Sequence, residues 1–259
     1  MRSIDRLLSI MSQLRDPKTG CPWDLEQTFA TIAPHTIEEA YEVVEAIESG
    51  DPAALLDELG DLLFQVVFYA QLGKDEGLFD FETIAAAVAD KMERRHPHVF
   101  GQVHVPNAEA QTVQWEEQKA AERAKTKGSG TLEGISIALP ALTRALKLQN
   151  RAGRVGFDWP EPIQVLDKIA EEIEEVRLEI AQGVDPEHLA DEVGDLLFAS
   201  VNLARKLKLD PESCLRRGNR KFERRFRHIE QTLADRGRSP SESSLEEMEA
   251  LWVAAKHLE

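Results

Sequence analysis

Asp57-Glu-Leu-Gly-Asp-Leu-Leu-Phe64 and Asp191-Glu-Val-Gly-Asp-Leu-Leu-Phe198 are one octapeptide written twice, 134 positions apart, with a single Leu-to-Val change between them. Working outward, Asp51-Pro52 returns as Asp185-Pro186 at the same offset, and Glu38-Glu39-Ala-Tyr-Glu42-Val returns as Glu171-Glu172-Ile-Glu-Glu175-Val at an offset of 133. Lys91-Met-Glu93-Arg94-Arg95 matches Lys221-Phe-Glu223-Arg224-Arg225, and Trp115 with Lys119 matches Trp252 with Lys256. Matches in one order, drifting only where loops are expected, are the mark of a duplicated unit. Arg123-Ala-Lys-Thr-Lys-Gly-Ser-Gly130 reads as a connector. The modules are therefore expected at 1–124 and 135–259, with a linker over 125–134.

Each module reads as helical. Asp51-Pro52, Asp185-Pro186 and Asp210-Pro211 each offer an acidic N-cap before a proline at the first helical position, and Asp80 offers a cap in the first module. Behind the first two run apolar segments, Leu55 to Leu72 and Leu189 to Leu207, too long for ordinary strands and without β-branched dominance. They are expected to be buried helices. Period-2 alternation is not seen, so the fold class is all-α: two tandem helical-bundle modules.

Residues three apart on a helix share a face. Glu39 pairs with Glu42 and Glu58 with Asp61; in the second module Glu172 pairs with Glu175 and Glu192 with Asp195. The helices in each module are joined by a turn, so four carboxylates can meet across the seam. Glu-rich helices are commonly solvated, but Glu58 and Asp61 stand among Leu59, Leu62, Leu63, Phe64, Val66 and Val67. Clustered acids repel one another, and a divalent cation removes the repulsion. All-oxygen ligation suits Mg2+, with Mn2+ as its substitute. A di-iron bundle would use Glu-x-x-His; Glu93-Arg-Arg-His96 has that form, but Glu223-Arg-Arg-Phe226 has lost the histidine.

Lys221, Arg224 and Arg225 project from one helical face, as do Lys91, Arg94 and Arg95, and such forks match phosphate oxygens. The whole chain has 47 acidic residues against 31 basic ones, a net charge of −16, which opposes nucleic-acid binding. No apolar run suits a membrane span, the N-terminus reads as an amphipathic helix, and Cys21 and Cys214 read as reduced thiols. A cytoplasmic protein is expected. Trp23 and Trp159 read as packed loop residues. Walker and G-x-S-x-G motifs are absent from the sequence.

Cys21-Pro-Trp-Asp24, Thr36-Ile-Glu-Glu-Ala-Tyr-Glu42, Glu58 to Phe64 and Lys91 to Phe100, with Val155 to Trp159, Glu171 to Glu175, Glu192 to Phe198 and Asn219 to Arg225, give the chain its resemblance to a known family. It resembles the MazG family of all-α nucleoside triphosphate pyrophosphohydrolases over nearly its whole length. The resemblance implies ATP-type substrates cleaved to a monophosphate and pyrophosphate. It implies Glu172, Glu175, Glu192 and Asp195 as magnesium ligands, Glu172 and Glu175 as catalytic groups, and Glu171 as their support. Lys168, Lys221, Arg224 and Arg225 would contact the triphosphate, with Trp252 near the nucleotide, in a homodimer. Lys168 stands where the first module has His35, and Pro97 interrupts the first basic helix after Arg95. The second module is therefore expected to be the better catalyst. A non-catalytic nucleotide sensor would share the site; a purely structural adaptor would have no use for buried acids.

Overall fold

The computed structural model describes residues 2–103, 105–107, 110–112, 114–115, 118, 130–183 and 185–258. The chain forms two compact units, residues 1–118 (module 1) and 119–259 (module 2). All regular structure among the described residues is helical. Lys119 and residues 125–129 of the expected linker lie outside the described residues.

Module 1 includes α1 (Ser3–Leu14), α2 (Pro22–Glu26), α3 (Phe29–Ser49), α4 (Pro52–Asp75), α5 (Phe81–Arg95) and α6 (Pro97–Phe100), with further helical residues at 110–112, 114–115 and 118. The α3–α4 hairpin is its largest helix–helix contact, with α1 and α5 laid against α4. Gly50 ends α3 at φ 71°, a left-handed conformation that glycine adopts without a Cβ clash. Asp51 then caps α4, accepting from the amides of Ala53 (2.9 Å) and Ala54 (3.2 Å). The core is Met11, Ile32, Val67, Phe68 and Leu72, with Phe29, Phe64 and Tyr69 packed around it.

Module 2 consists of α7 (Ala141–Arg154), α8 (Pro162–Gln182), α9 (Pro186–Lys206), α10 (Pro211–Ala234) and α11 (Leu245–Lys256), with a short 3-10 turn at Pro240–Glu242. The hairpin recurs: Gly183 closes α8 at φ 64°, and Asp185 caps α9 through the Glu187 amide at 3.0 Å. The core has moved. Ile229, Leu233 and Leu251 form it between α10 and α11, with Phe226, Met248 and Trp252. Thr131 and Glu133, within the expected linker, accept from Arg151 of α7 at 3.1 and 2.7 Å.

Burial departs from expectation in the carboxylate helices. Leu56, Leu59 and Leu63 of α4 are exposed, as are Val193, Leu197 and Phe198 of α9. Only the C-terminal half of α4 is core, because α1 covers that half; the acid-bearing half is a free apolar face. Trp23 is exposed in α2, a helical turn rather than a loop, and Trp159 is also exposed rather than packed. No helix among the described residues is long and apolar enough to cross a membrane.

Candidate metal and phosphate site

In module 2, α8 and α9 bring Glu172, Glu192 and Asp195 together, with one carboxylate oxygen of each within 4.8 Å of the others. Glu172 is 4% exposed, and its Oε2 is buried without a hydrogen-bond partner. Its other oxygen, Oε1, receives Lys168 Nζ at 2.8 Å, and the same ammonium donates to Glu171 Oε1 at 2.8 Å. These two carboxylates, Glu171 first, hold the Lys168 ammonium well above the usual lysine range. Lys168 is thus a permanent cation at the edge of an acidic trio.

Glu175 stands beside the trio rather than within it. Burial raises its carboxyl above the ordinary range; Lys168 opposes the rise, and Glu172 and Glu192 add to it. An unpartnered, nearly buried oxygen among mutually repelling carboxylates suits a hard divalent cation, which takes oxygen ligands and cancels the repulsion. The donor set contains no sulfur or imidazole, which argues against zinc or iron.

Module 1 assembles the same trio from Glu39, Glu58 and Asp61. Burial, then Asp61 and Glu42, push Glu39 upward; burial, then Glu42, push Glu58 upward. Two details differ. Gln65 Nε2 donates to Glu39 Oε1 at 3.3 Å, so an internal donor reaches a would-be ligand oxygen. His35, at the place of Lys168, turns to Glu38 at 3.5 Å and lies edge-on to Trp23.

Lys221, Arg224 and Arg225 stand on α10 rather than on the α8–α9 hairpin. Arg224 and Arg225 line a recess between α10 and α11 with His228, and Arg225 lies over the Trp252 ring at 5.3 Å. Phe222 packs against the same ring. Lys221 is exposed on α10.

Sequence reasoning missed the flank of the trio. A cavity of about 510 Å³ adjoins it, and its lining includes Lys168, Glu172 and Asp195 together with Gln149, Trp159 and Asn202. The loop carrying Trp159 is latched to α9: Arg205 grips Asp158 with both terminal guanidinium nitrogens, one at 3.1 Å, and Lys206 donates to the Trp159 carbonyl at 2.5 Å. The available signal was Asn202, an amide at the repeat position where module 1 has Phe68.

Residues 27–100 and 161–230 each match the MazG nucleotide pyrophosphohydrolase domain. The chain is 53% identical to a nucleoside triphosphate pyrophosphohydrolase of Escherichia coli K12, over all of this chain and 99% of the relative. It is 42% identical to the nucleoside triphosphate pyrophosphohydrolase/pyrophosphatase MazG of Thermotoga maritima, over 97% of this chain and 95% of the relative. A nucleoside triphosphate pyrophosphohydrolase of Mycobacterium tuberculosis is 32% identical over 59% of this chain and 46% of its own length.

Proposed function

The chain belongs to the MazG nucleotide pyrophosphohydrolase family, and on that premise we propose that module 2 hydrolyses nucleoside triphosphates to the monophosphate and pyrophosphate. The observation that carries the reading is the Glu172–Glu192–Asp195 trio, with its unpartnered Glu172 oxygen, beside the Lys168 cation. These carboxylates, with Glu175 beside them, would hold magnesium, which when bound would polarise the phosphates and acidify the attacking water.

The protein's own groups do the rest. Lys168 exchanges the exposed Glu171 carboxylate for a phosphate oxygen, which keeps its charge satisfied while the substrate is held. One carboxylate of the Glu172–Glu175 pair accepts the single proton given up by water, and Glu171 restores the Lys168 contact when product leaves. Lys221, Arg224 and Arg225 engage the outer phosphates, with Trp252 holding the Arg225 plane in place.

The functional unit of this reading is a cytoplasmic homodimer. The apolar residues flanking the acids, including Val193 and Leu197, are exposed in one chain, and a second copy would cover them and complete the bundle. Pyrophosphate release from ATP, assayed with and without Mg2+, tests the activity; release that ignores magnesium or survives intact in Glu172→Ala would overturn it. Sedimentation tests the dimer, which a monomeric chain at assay concentration would refute.

A further inference from the structure

We propose that module 1 holds a divalent cation in a closed site, with the amide oxygen of Gln65 completing the Glu39–Glu58–Asp61 trio. This ion braces the module and turns over no substrate, so it is held whether or not module 2 hydrolyses a nucleotide.

Gln65 follows Asp61 by four residues and Glu58 by seven, so the three side chains leave α4 on one face. Gln65 is 7% exposed, and its Nε2 donates to Glu39 Oε1 of α3 at 3.3 Å. Its Oε1 is buried with no partner. A half-turn of the terminal amide exchanges these two atoms, which are nearly equal in size. No hydrogen bond on the Oε1 side is broken by the turn. The oxygen then stands where the nitrogen stood, beside Glu39 Oε1.

That place has the spacing of a ligand. Neighbouring oxygens on one octahedral ion are about 1.4 bond lengths apart, about 3.0 Å for Mg2+ and about 3.4 Å for Ca2+. The 3.3 Å between the amide and Glu39 falls in this span. One oxygen each of Glu39, Glu58 and Asp61 lie within 4.8 Å of one another, so all three can reach the same ion. Three carboxylates and a neutral amide, oxygen throughout, suit a hard divalent cation.

The repeat shows what the amide adds. At the Gln65 position module 2 has Ala199, which offers no ligand and lines the cavity beside its own trio. Metal sites that do chemistry keep a position open, whereas structural ones fill their shell with protein atoms. By that rule module 2 has the open shell and module 1 the filled one. His35, in the place of Lys168, turns to Glu38 and brings no cation to Glu39. An ion on Glu39 of α3 and on three residues of α4 ties the two helices of the hairpin together.

Mn2+ binding to the full chain, followed by electron paramagnetic resonance, tests the proposal in a background of Glu172→Ala with Asp195→Ala, which dismantles the module 2 trio. The expected result is a bound ion in each chain, a melting temperature that rises with Mn2+, and loss of both when Glu39→Ala is added. Gln65→Met keeps the length of the side chain without its oxygen and should raise the Mn2+ dissociation constant about tenfold or more. Gln65→Glu keeps an oxygen there and should bind at least as tightly as glutamine. No bound ion in the background chain, or an ion that survives Glu39→Ala, would overturn the proposal. So would unchanged affinity in Gln65→Met, or tighter binding, the result expected of an amide that competes with the ion. Pyrophosphate release from ATP that persists in the background chain and needs Glu39 would make the site catalytic and overturn its closed character. Should Gln65→Met fail to fold by circular dichroism, Gln65→Asn, whose oxygen falls one methylene short, decides by the same criteria.

Discussion

Modules 1 and 2 carry the same hairpin, the same Asp-Pro cap and the same acidic trio, yet they bury different things beside it. In module 1 the space next to the acids holds Met11, Ile32 and Phe68, and the first helices form the core. In module 2 the matching space holds Gln149, Val165 and Asn202 around a cavity, and a buried apolar cluster lies between α10 and α11. A duplicated fold can keep its frame with either half, provided apolar burial is supplied somewhere in each.

The largest test of that contrast is Phe68→Ala. Removing a fully buried aromatic should cost about 3–5 kcal/mol, whereas Asn202→Ala at the matching position should cost about 1 kcal/mol or less. Denaturant titration of the full chain measures both, and equal losses would break the comparison. Next comes the chemistry: Glu172→Ala should lower pyrophosphate release by about a hundredfold or more, near 2.7 kcal/mol, and Glu39→Ala by less than about threefold. Steady-state rates at saturating Mg2+ decide this, and matched losses would make module 1 an equal catalyst.

Lys168→His installs the module 1 residue. A neutral ring for a fixed charge should raise KM for ATP about tenfold, near 1.4 kcal/mol; a lowered kcat at constant KM would instead place Lys168 in the chemical step.

The smallest effect concerns acid. Arg205, through its hydrogen bonds and charge, holds Asp158 below its usual value of 3.8. A carboxylate depressed in the folded state adds stability above its unfolded value and loses it as pH falls through the folded one. Melting curves of wild type should therefore show a stability loss below about pH 4, of order 1 kcal/mol given partial exposure, that Asp158→Asn lacks. Identical acid slopes would remove Asp158 from the latch.

Much of this was written in the sequence, for physical reasons. Asp51, Asp80, Asp185 and Asp210 cap the helices they were expected to cap, because a short acceptor before the first turn has few other uses. Pro97 ends α5 after Arg95, while α10 runs on through Phe226 and Arg227 to Ala234. Glu58 with Asp61 and Glu192 with Asp195 converge as helical spacing demands, whereas Glu42 and Glu175, expected in the same clusters, fall outside the two trios.

The direction of burial was less legible. Leu55 to Leu72 is apolar on nearly every face, so its period cannot say which side meets the core, and Leu56, Leu59 and Leu63 proved exposed. Asn202 read as one more interruption in an apolar run; only its place in the repeat, opposite Phe68, gives it meaning. Trp159 read as packed because aromatic residues usually are, whereas the Asp158 latch holds it at a cavity wall.

The left-handed glycines that close α3 and α8 limit what can replace them. Gly183 ends α8 in the left-handed conformation, on the hairpin whose two helices bring Glu192 and Asp195 level with Glu172. It sits eleven residues past Glu172, about 16 Å along the helix. A Cβ at Gly183 would meet no atom within 4 Å, so the cost of a side chain there is the left-handed φ of 64° alone, about 1 kcal/mol, and asparagine, which tolerates that conformation, should be accepted where valine is not.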